Sequence, residues 1–389
     1  MEDELRAATT RPEPVRRIPG DPERDEPGPG IGLCLSGGGY RAMLFHVGAL
    51  WRLNELGYLR RLDRVSSVSG GSIAAGVLAL AWGDLAFDEA GVARRFVEVV
   101  ATPLHRLADR TLDRGSIVGG ILTPRKSVSD KIVGAYRAHL FGRKTLQDFP
   151  DYPRFVVNAT NLQSAVLWRF SKPYMWDYRV GKIEHPRTDV AVAVAASSAF
   201  PPFLSPLVLD LGAAAFVPGT GHDLQQAPYT ERAYLCDGGV YDNLGLETVW
   251  KRLQTVLVSD GGGLIRPEPE PKRDWVQQSQ RVLSIIDSQV RSLRKRQVVG
   301  SYVDGTREGV YWGIHSHIAD YPADDKLPCP PELTRQLAAV PTRLAKAPER
   351  LQQQLVNWGY AVCDAGIRSH VLPDAPRPES FPYGDAGVG

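Results

Sequence analysis

IGLCLSGGGYRAM (Ile31–Met43) and RVSSVSGGSI (Arg64–Ile73) share one pattern: a short strand runs straight into glycines, and a helical sequence follows at once. AYLCDGG (Ala233–Gly239) and TVLVSDGGG (Thr255–Gly263) repeat the strand-to-glycine turn. Around them, short apolar stretches at Phe155–Asn158, Leu167–Phe170 and Val310–Ile314 alternate with longer helical patterns. This alternation is the signature of βαβ units on a mostly parallel sheet, an α/β fold. Ile31–Leu35 and Arg64–Val68 read as strands, Arg41–Leu56 as a helix stopped by Gly57, and Ser72–Trp82 as a second helix. The carboxyl ends of parallel strands share one edge, where ligands bind. All four glycine turns are therefore expected to crowd that edge.

The chain has 389 residues, 43% hydrophobic and 23% charged, which excludes wholesale disorder, collagen and coiled coil. Its formal net charge of +2 gives no reason to expect a nucleic-acid partner. Four cysteines, Cys34, Cys236, Cys329 and Cys363, stand singly and suggest neither a zinc ribbon nor a disulfide framework. Residues 1–30 are charged and proline-rich, reading as a disordered tail rather than a signal peptide. A single domain is expected over 31–373, ending in a helical extension, with a loose tail at 374–389. Val65–Trp82 is broken up by serines and glycines and Val190–Leu209 by three prolines, so neither reads as a membrane span. A cytoplasmic protein with reduced thiols is the expectation. The polar stretch Arg266–Asp274 reads as a surface loop.

Ser69, placed between strand residues and Gly70-Gly71, has the form of a nucleophile elbow. A sharp strand–turn–helix pushes the hydroxyl out above the sheet, and small neighbours keep the chain from colliding with itself. A capping serine in a tight turn has the same local sequence. The glycines Gly37, Gly38 and Gly39 leave backbone N–H groups to converge on an anion, either a phosphate or the oxyanion of a tetrahedral intermediate. The loop lacks the G-K-[ST] of a Walker motif and matches a dinucleotide fingerprint only imperfectly. A serine also needs a base. None of the eight histidines sits on a glycine turn; His46 lies within the first helix, where packing is its expected role, and His315-Ser316-His317 places two imidazoles on one strand face without a third ligand. The turns carry aspartates instead, Asp237 and Asp260. Either carboxylate, held against Ser69, would serve as base and then acid.

SGGGYRAM (Ser36–Met43), the Ser69 elbow, ASSAFPPF (Ala196–Phe203) and DGGVYDN (Asp237–Asn243) occur in the order found in patatin-like phospholipases. The first block resembles the cytosolic phospholipase A2 branch in particular. The likeness runs from about Gly32 to Asn243 and fades beyond. It implies a three-layer α/β/α fold and acyl-ester hydrolysis by a Ser–Asp dyad, without cofactor or metal. On this resemblance Ser69 is the nucleophile, Asp237 the general base and acid, and Gly37, Gly38 and Gly39 the oxyanion hole, with Arg41 as the basic residue of that motif. Asp237 is favoured over Asp260 because the family-like text continues through Tyr241, Asp242 and Asn243. The alternative for Asp260 is a solvated turn aspartate.

Three departures stand out. Ser67 replaces a glycine, Ala42 stands where the family usually has another, and no C2-type calcium domain precedes the catalytic region, which argues against calcium-driven docking. The implied activity is a serine acyl hydrolase, a phospholipase A or lipid acyl esterase, working through an acyl-enzyme on a lipid or phospholipid. Met43, Leu44, Phe45, Trp51, Phe200, Phe203 and Leu204 are candidates for an acyl pocket or for plain core. Arg291, Arg294, Lys295 and Arg296 are compatible with peripheral contact with a membrane, or with a solvated helix face. Trp168–Tyr178 is an interfacial surface or a half-buried hairpin edge. Two other readings compete: a non-hydrolytic lipid- or nucleotide-binding module, and a Ser-His-Asp esterase.

Overall fold

A computed structural model describes residues 27–112, 128–201, 204–212 and 214–389. The tail expected over 1–30 lies almost wholly outside them. In chain order the strands are β1 (Gly28–Leu35), β2 (Arg64–Val68), β3 (Arg154–Asn161), β4 (Val166–Phe170), β5 (Tyr174–Asp177), β6 (Gly181–Glu184), β7 (Leu207–Asp210), β8 (Phe216–Val217), β9 (Arg232–Asp237), β10 (Leu253–Asp260) and β11 (Glu308–Gly313). The helices used below are α1 (Gly39–Glu55), α2 (Gly70–Ala81), α3 (Val190–Ser197), α4 (Trp275–Val303) and α5 (Glu349–His370).

One sheet runs β11-β10-β1-β2-β3-β4-β5-β6-β8. Its first five strands are mutually parallel, the centre the sequence calls for. From β3 onward the pairing turns antiparallel, and beyond β4 it runs through short strands that carry no strong apolar signal.

Alternation along the central strands sorts side chains to two faces. Leu33, Leu35 and Leu257 join the large core under α1, α2 and α5. Cys34, Val256 and Val258 point the other way, onto Leu244, Leu246, Val249 and Val298. Helices thus cover both faces of the parallel centre, giving three layers. α1 and α5 cross in backbone contact: a Cβ at Gly48 would sit 1.9 Å from the Val356 carbonyl oxygen, and one at Gly359 1.9 Å from that of Phe45.

Two expectations need correction. The stretch 374–389 is not loose. Asn357 donates to the carbonyls of Tyr383 (2.8 Å) and Gly387 (2.7 Å), and the Tyr383 ring meets Trp51 edge-on. Ala386 and Val388 are buried. One buried amide and a few apolar side chains hold a segment whose composition reads as a tail. His315 and His317 are not on a strand either, because β11 ends at Gly313 and the chain turns there.

Candidate active site

β2 is buried along its whole length and ends in Ser69, whose backbone adopts φ 52° and ψ −118°. A non-glycine residue at positive φ is strained and persists only where its surroundings hold it. Those surroundings are visible. A Cβ at Gly70 would lie 2.2 Å from the Gly39 carbonyl oxygen, and one at Gly71 2.3 Å from that of Leu35. The Ser69 N–H donates to Ser197 Oγ at 2.9 Å, and the Ser69 carbonyl accepts from Ser72 and Ile73 in the first turn of α2. Ser67 is absorbed without loss: its hydroxyl donates to the Val156 carbonyl (3.3 Å) and accepts from Ser72 (3.0 Å).

Asp237 reaches Ser69 by a route other than the expected shared parallel edge. β9 is antiparallel to β3, and the register sets Val68 of β2 opposite Asn158 and Asp237 opposite Ala159. β4 occupies the far side of β3 over the same residues, so β2 and β9 lie in line on one side of it and meet end to end. Neighbouring positions on β3 thereby set the two strand ends side by side, with the Ser69 side chain near enough to the Asp237 carboxyl to favour its ionised form.

That carboxyl is 3% exposed. Burial pushes its pKa up to about 7, against the Gly239 N–H bond and the Ser69 side chain, which favour the ionised form; the Asp287 charge on α4 adds to the rise. The Gly239 bond is 2.7 Å long.

The end of α3 fastens both halves. Ser197 Oγ takes the Ser69 N–H, the Ser197 carbonyl takes Gly238 N–H at 3.2 Å, and the Ala199 carbonyl takes Asp237 N–H at 2.9 Å. Ser197 is the positioning residue that reading the turns alone misses. The signal was present in the small-residue run Ala195–Ala199, which allows this close approach.

Asp260 has the same local sequence and a different fate. It is not a solvated turn aspartate. Its carboxyl accepts from Tyr311 hydroxyl (2.7 Å) and Gly262 N–H (2.9 Å), with Lys295 Nζ at 3.9 Å. Burial raises its pKa, but Lys295, the Tyr311 bond and Arg291 outweigh it and hold the group below the ordinary carboxylate range.

The glycine loop splits into two parts. Gly37 is not an available donor, because its N–H is bonded to the Asn243 carbonyl at 3.0 Å. Gly38 (φ 146°) and Gly39 (φ 62°) both adopt backbone shapes that favour glycine, and a Cβ would strike Gly261 O at 2.7 Å or Arg343 O at 2.6 Å. Their N–H groups donate to no acceptor among the described residues. Arg41 does not join the donors. Its Nε and Nη2 bond the Gly261 carbonyl at 3.2 and 3.0 Å, and Nη1 bonds that of Val340. Burial lowers its pKa to about 10, so it remains a cation and works as a buried strut between the two glycine turns.

The remaining candidates have structural partners. His46 lies between Ser259 Oγ (2.8 Å) and the Ser36 carbonyl (2.9 Å), and burial drops its pKa to about 4. Among the described residues no histidine is hydrogen-bonded to Ser69 or Asp237. No group of three or more His, Cys, Asp or Glu side chains there is gathered to hold a metal ion.

The basic cluster on α4 is largely turned inward. Arg291 bonds the Gly263 carbonyl, Arg294 bonds Glu247, and Lys295 stacks on Tyr311; only Arg296 is left to solvent. Met43, Leu44 and Phe45 are core, Phe200 is exposed, and Phe203 lies outside the described residues. Trp168 is fully buried within a β4–β5 hairpin that lies inside the sheet, not at its edge. No helix among the described residues is long and apolar enough to cross a membrane, and all four cysteines are free and buried.

The family model of patatin-like phospholipases matches residues 33–250, more than half of the chain, and the chain belongs to that family. Among solved structures it is similar to human GIVD cytosolic phospholipase A2, with 14% identity, TM-score 0.40, and coverage of 69% of this chain and 52% of that one. The complex of the human enzyme with methyl gamma-linolenyl fluorophosphonate aligns at 13% identity and TM-score 0.47, covering 87% and 57%. VipD from Legionella pneumophila aligns at 17% identity and TM-score 0.35, covering 88% and 67%. The chain thus spans about half the length of the human enzyme. No curated protein matches it.

Proposed function

We propose that the protein is a serine acyl hydrolase acting on lipid esters through Ser69 and Asp237. The observation that carries this reading is the meeting of Ser69 and Asp237 where β2 and β9 end side by side on β3, beside the two undonated amides of Gly38 and Gly39. Membership of the patatin-like phospholipase family supports a lipid substrate.

Ser69 Oγ forms a bond to the ester carbonyl carbon as Asp237 takes its proton. The carbonyl oxygen becomes an oxyanion held by Gly38 and Gly39 N–H, each donor contributing on the order of 3 kcal/mol to the transition state. Collapse breaks the bond to the leaving alcohol oxygen, which receives the proton from Asp237. Water then adds to the acyl-enzyme, gives a proton to Asp237, and the carbon–Oγ bond breaks. Ser69 recovers that proton and the fatty acid departs.

A carboxyl with a pKa near 7 suits both halves of this cycle at neutral pH. Exposed Phe200, Val240 and Leu264, each just beyond a loop that builds the site, give an apolar rim suited to peripheral contact with a lipid surface. The test is turnover of a phosphatidylcholine and of a neutral acyl ester by the wild type, Ser69→Ala and Asp237→Asn. Loss of turnover in both variants supports the dyad. Wild-type rates in either, or labelling of some other serine by a fluorophosphonate, refute it.

A further inference from the structure

Across β2 to β5, starting from the end of β2 farthest from Ser69, runs a second cluster that hydrolysis does not use. Register pairs Arg64 with Arg154 across β2 and β3, Asn158 with Arg169 across β3 and β4, and Arg169 with Trp176 across β4 and β5. Side chains two apart share a face, so Arg64, Arg154, Arg169, Tyr174 and Trp176 all emerge on the same side of the sheet. Arg252, in the turn before β10, acts on Arg64 and Tyr174 through its charge. Arg64 is only 8% exposed, and its charge acts on the Tyr174 hydroxyl; Arg169 lies over the Trp176 ring at 5.0 Å.

Among the described residues no carboxylate pairs with any of these four guanidinium groups; the adjacent Asp63 is turned to Ile31 N–H at 2.7 Å. Arg64 Nη1, Arg154 Nε, Arg169 Nε and Trp176 Nε1 are buried donors without an acceptor. Buried donors are ordinarily satisfied, and each orphan asks for an explanation. Like charges gathered without a counter-charge repel, and an anion relieves that cost. The Tyr174 hydroxyl reports the field. Burial raises its pKa, yet Arg64, Arg252 and Arg169 outweigh burial and draw it below the ordinary value.

We infer that the cluster of Arg64, Arg154, Arg169, Arg252, Tyr174 and Trp176 is a binding site for a phosphate-bearing anion, separate from the hydrolytic site. The guanidinium fork matches phosphate oxygens, and several converging forks suit a multiply charged group over a lone carboxylate. With about 3.3 Å per strand residue, Arg64 at the start of β2 stands about 16 Å from Ser69, whereas Arg169 and Trp176 lie level with Val68 on strands β4 and β5. The assignment does not depend on the hydrolase reading, since it is read by binding alone.

The experiment is calorimetric titration of the full chain with pyrophosphate at low salt, with thermal melting alongside. Saturable binding that raises the Tm is expected, with Arg169→Gln and Arg252→Gln each weakening affinity at least about tenfold. Both variants keep or raise the ligand-free Tm, because each removes one of four repelling charges. Phosphatidylcholine vesicles doped with phosphatidic acid separate the two sources of phosphate. Displacement of pyrophosphate by the vesicles assigns a lipid headgroup, and its absence assigns a free phosphate ester. No saturable pyrophosphate binding by the wild type overturns the inference. So does unchanged affinity in both variants, whose lowered ligand-free Tm would then mark the arginines as structural.

Discussion

Two strands in this protein end in an aspartate followed by two glycines, and the molecule treats the two aspartates in opposite ways. At the end of β10, Asp260 is surrounded by Tyr311, Lys295 and Arg291, and its charge is stabilised. At the end of β9, Asp237 accepts one backbone amide and lies beside Ser69, with no cation acting on it and Asp287 adding a like charge. The first carboxylate is an anchor that ties α4 and β11 to the sheet. The second has proton affinity to spare. Neighbours, not the local motif, decide which aspartate can exchange a proton with a serine.

Substitution tests this contrast most strongly in turnover. Ser69→Ala and Asp237→Asn are each expected to lower kcat/KM for an acyl ester by about four orders of magnitude or more. Asp260→Asn is expected to stay within about tenfold of wild type, and a collapse in its rate at intact folding would erase the distinction.

Stability reverses the order. Asp260→Asn leaves Lys295 and Arg291 facing a neutral group, with an expected loss on the order of 2 kcal/mol in urea unfolding; this is less than for a fully enclosed pair because Lys295 is partly exposed. The folded pKa of Asp260 is depressed, so its contribution is present above the unfolded value and fades as pH falls through the folded one. The gap between wild type and variant should narrow in acid.

Asp237 has the opposite sign. Its folded pKa is raised to about 7, so its contribution is complete below the unfolded value and is lost as pH rises through about 7. Asp237→Asn should therefore be more stable than wild type at about pH 8, by on the order of 1–2 kcal/mol, and lose that advantage at about pH 4. A lower Tm at about pH 8 would mean the carboxylate is not destabilised by its setting. The smallest effect is expected at Ser197→Ala, which removes the acceptor of Ser69 N–H. A loss of about 1 kcal/mol in stability and up to about tenfold in kcat should follow.

Much of this was legible in residues 31–73. Short strands running into glycines can only turn sharply, and Gly70 and Gly71 sit where any side chain would collide with backbone. The identity of the partner carboxylate was only half legible. Asp237 and Asp260 look alike over a short window, and the head-on approach of β9 depends on an antiparallel pairing made with β3, far away in sequence. Strands β5, β6 and β8 lack a strong apolar pattern because they belong to that antiparallel extension. The surroundings of Gly37 and Arg41 were not legible for a related reason: their neighbours, Asn243 and Gly261, arrive from other strands. The arginine cluster was invisible, since its members are scattered between positions 64 and 252 and meet only through register.

The central claim is that Asp237, kept ready to take a proton by its burial, activates Ser69. The most direct test is the rate at which a fluorophosphonate labels Ser69 as a function of pH. The account expects the rate to rise with a midpoint near 7 in the wild type and in Asp260→Asn, and to be flat and slow in Asp237→Asn. Labelling of Asp237→Asn at the wild-type rate, or a midpoint that disappears in Asp260→Asn instead, would contradict it.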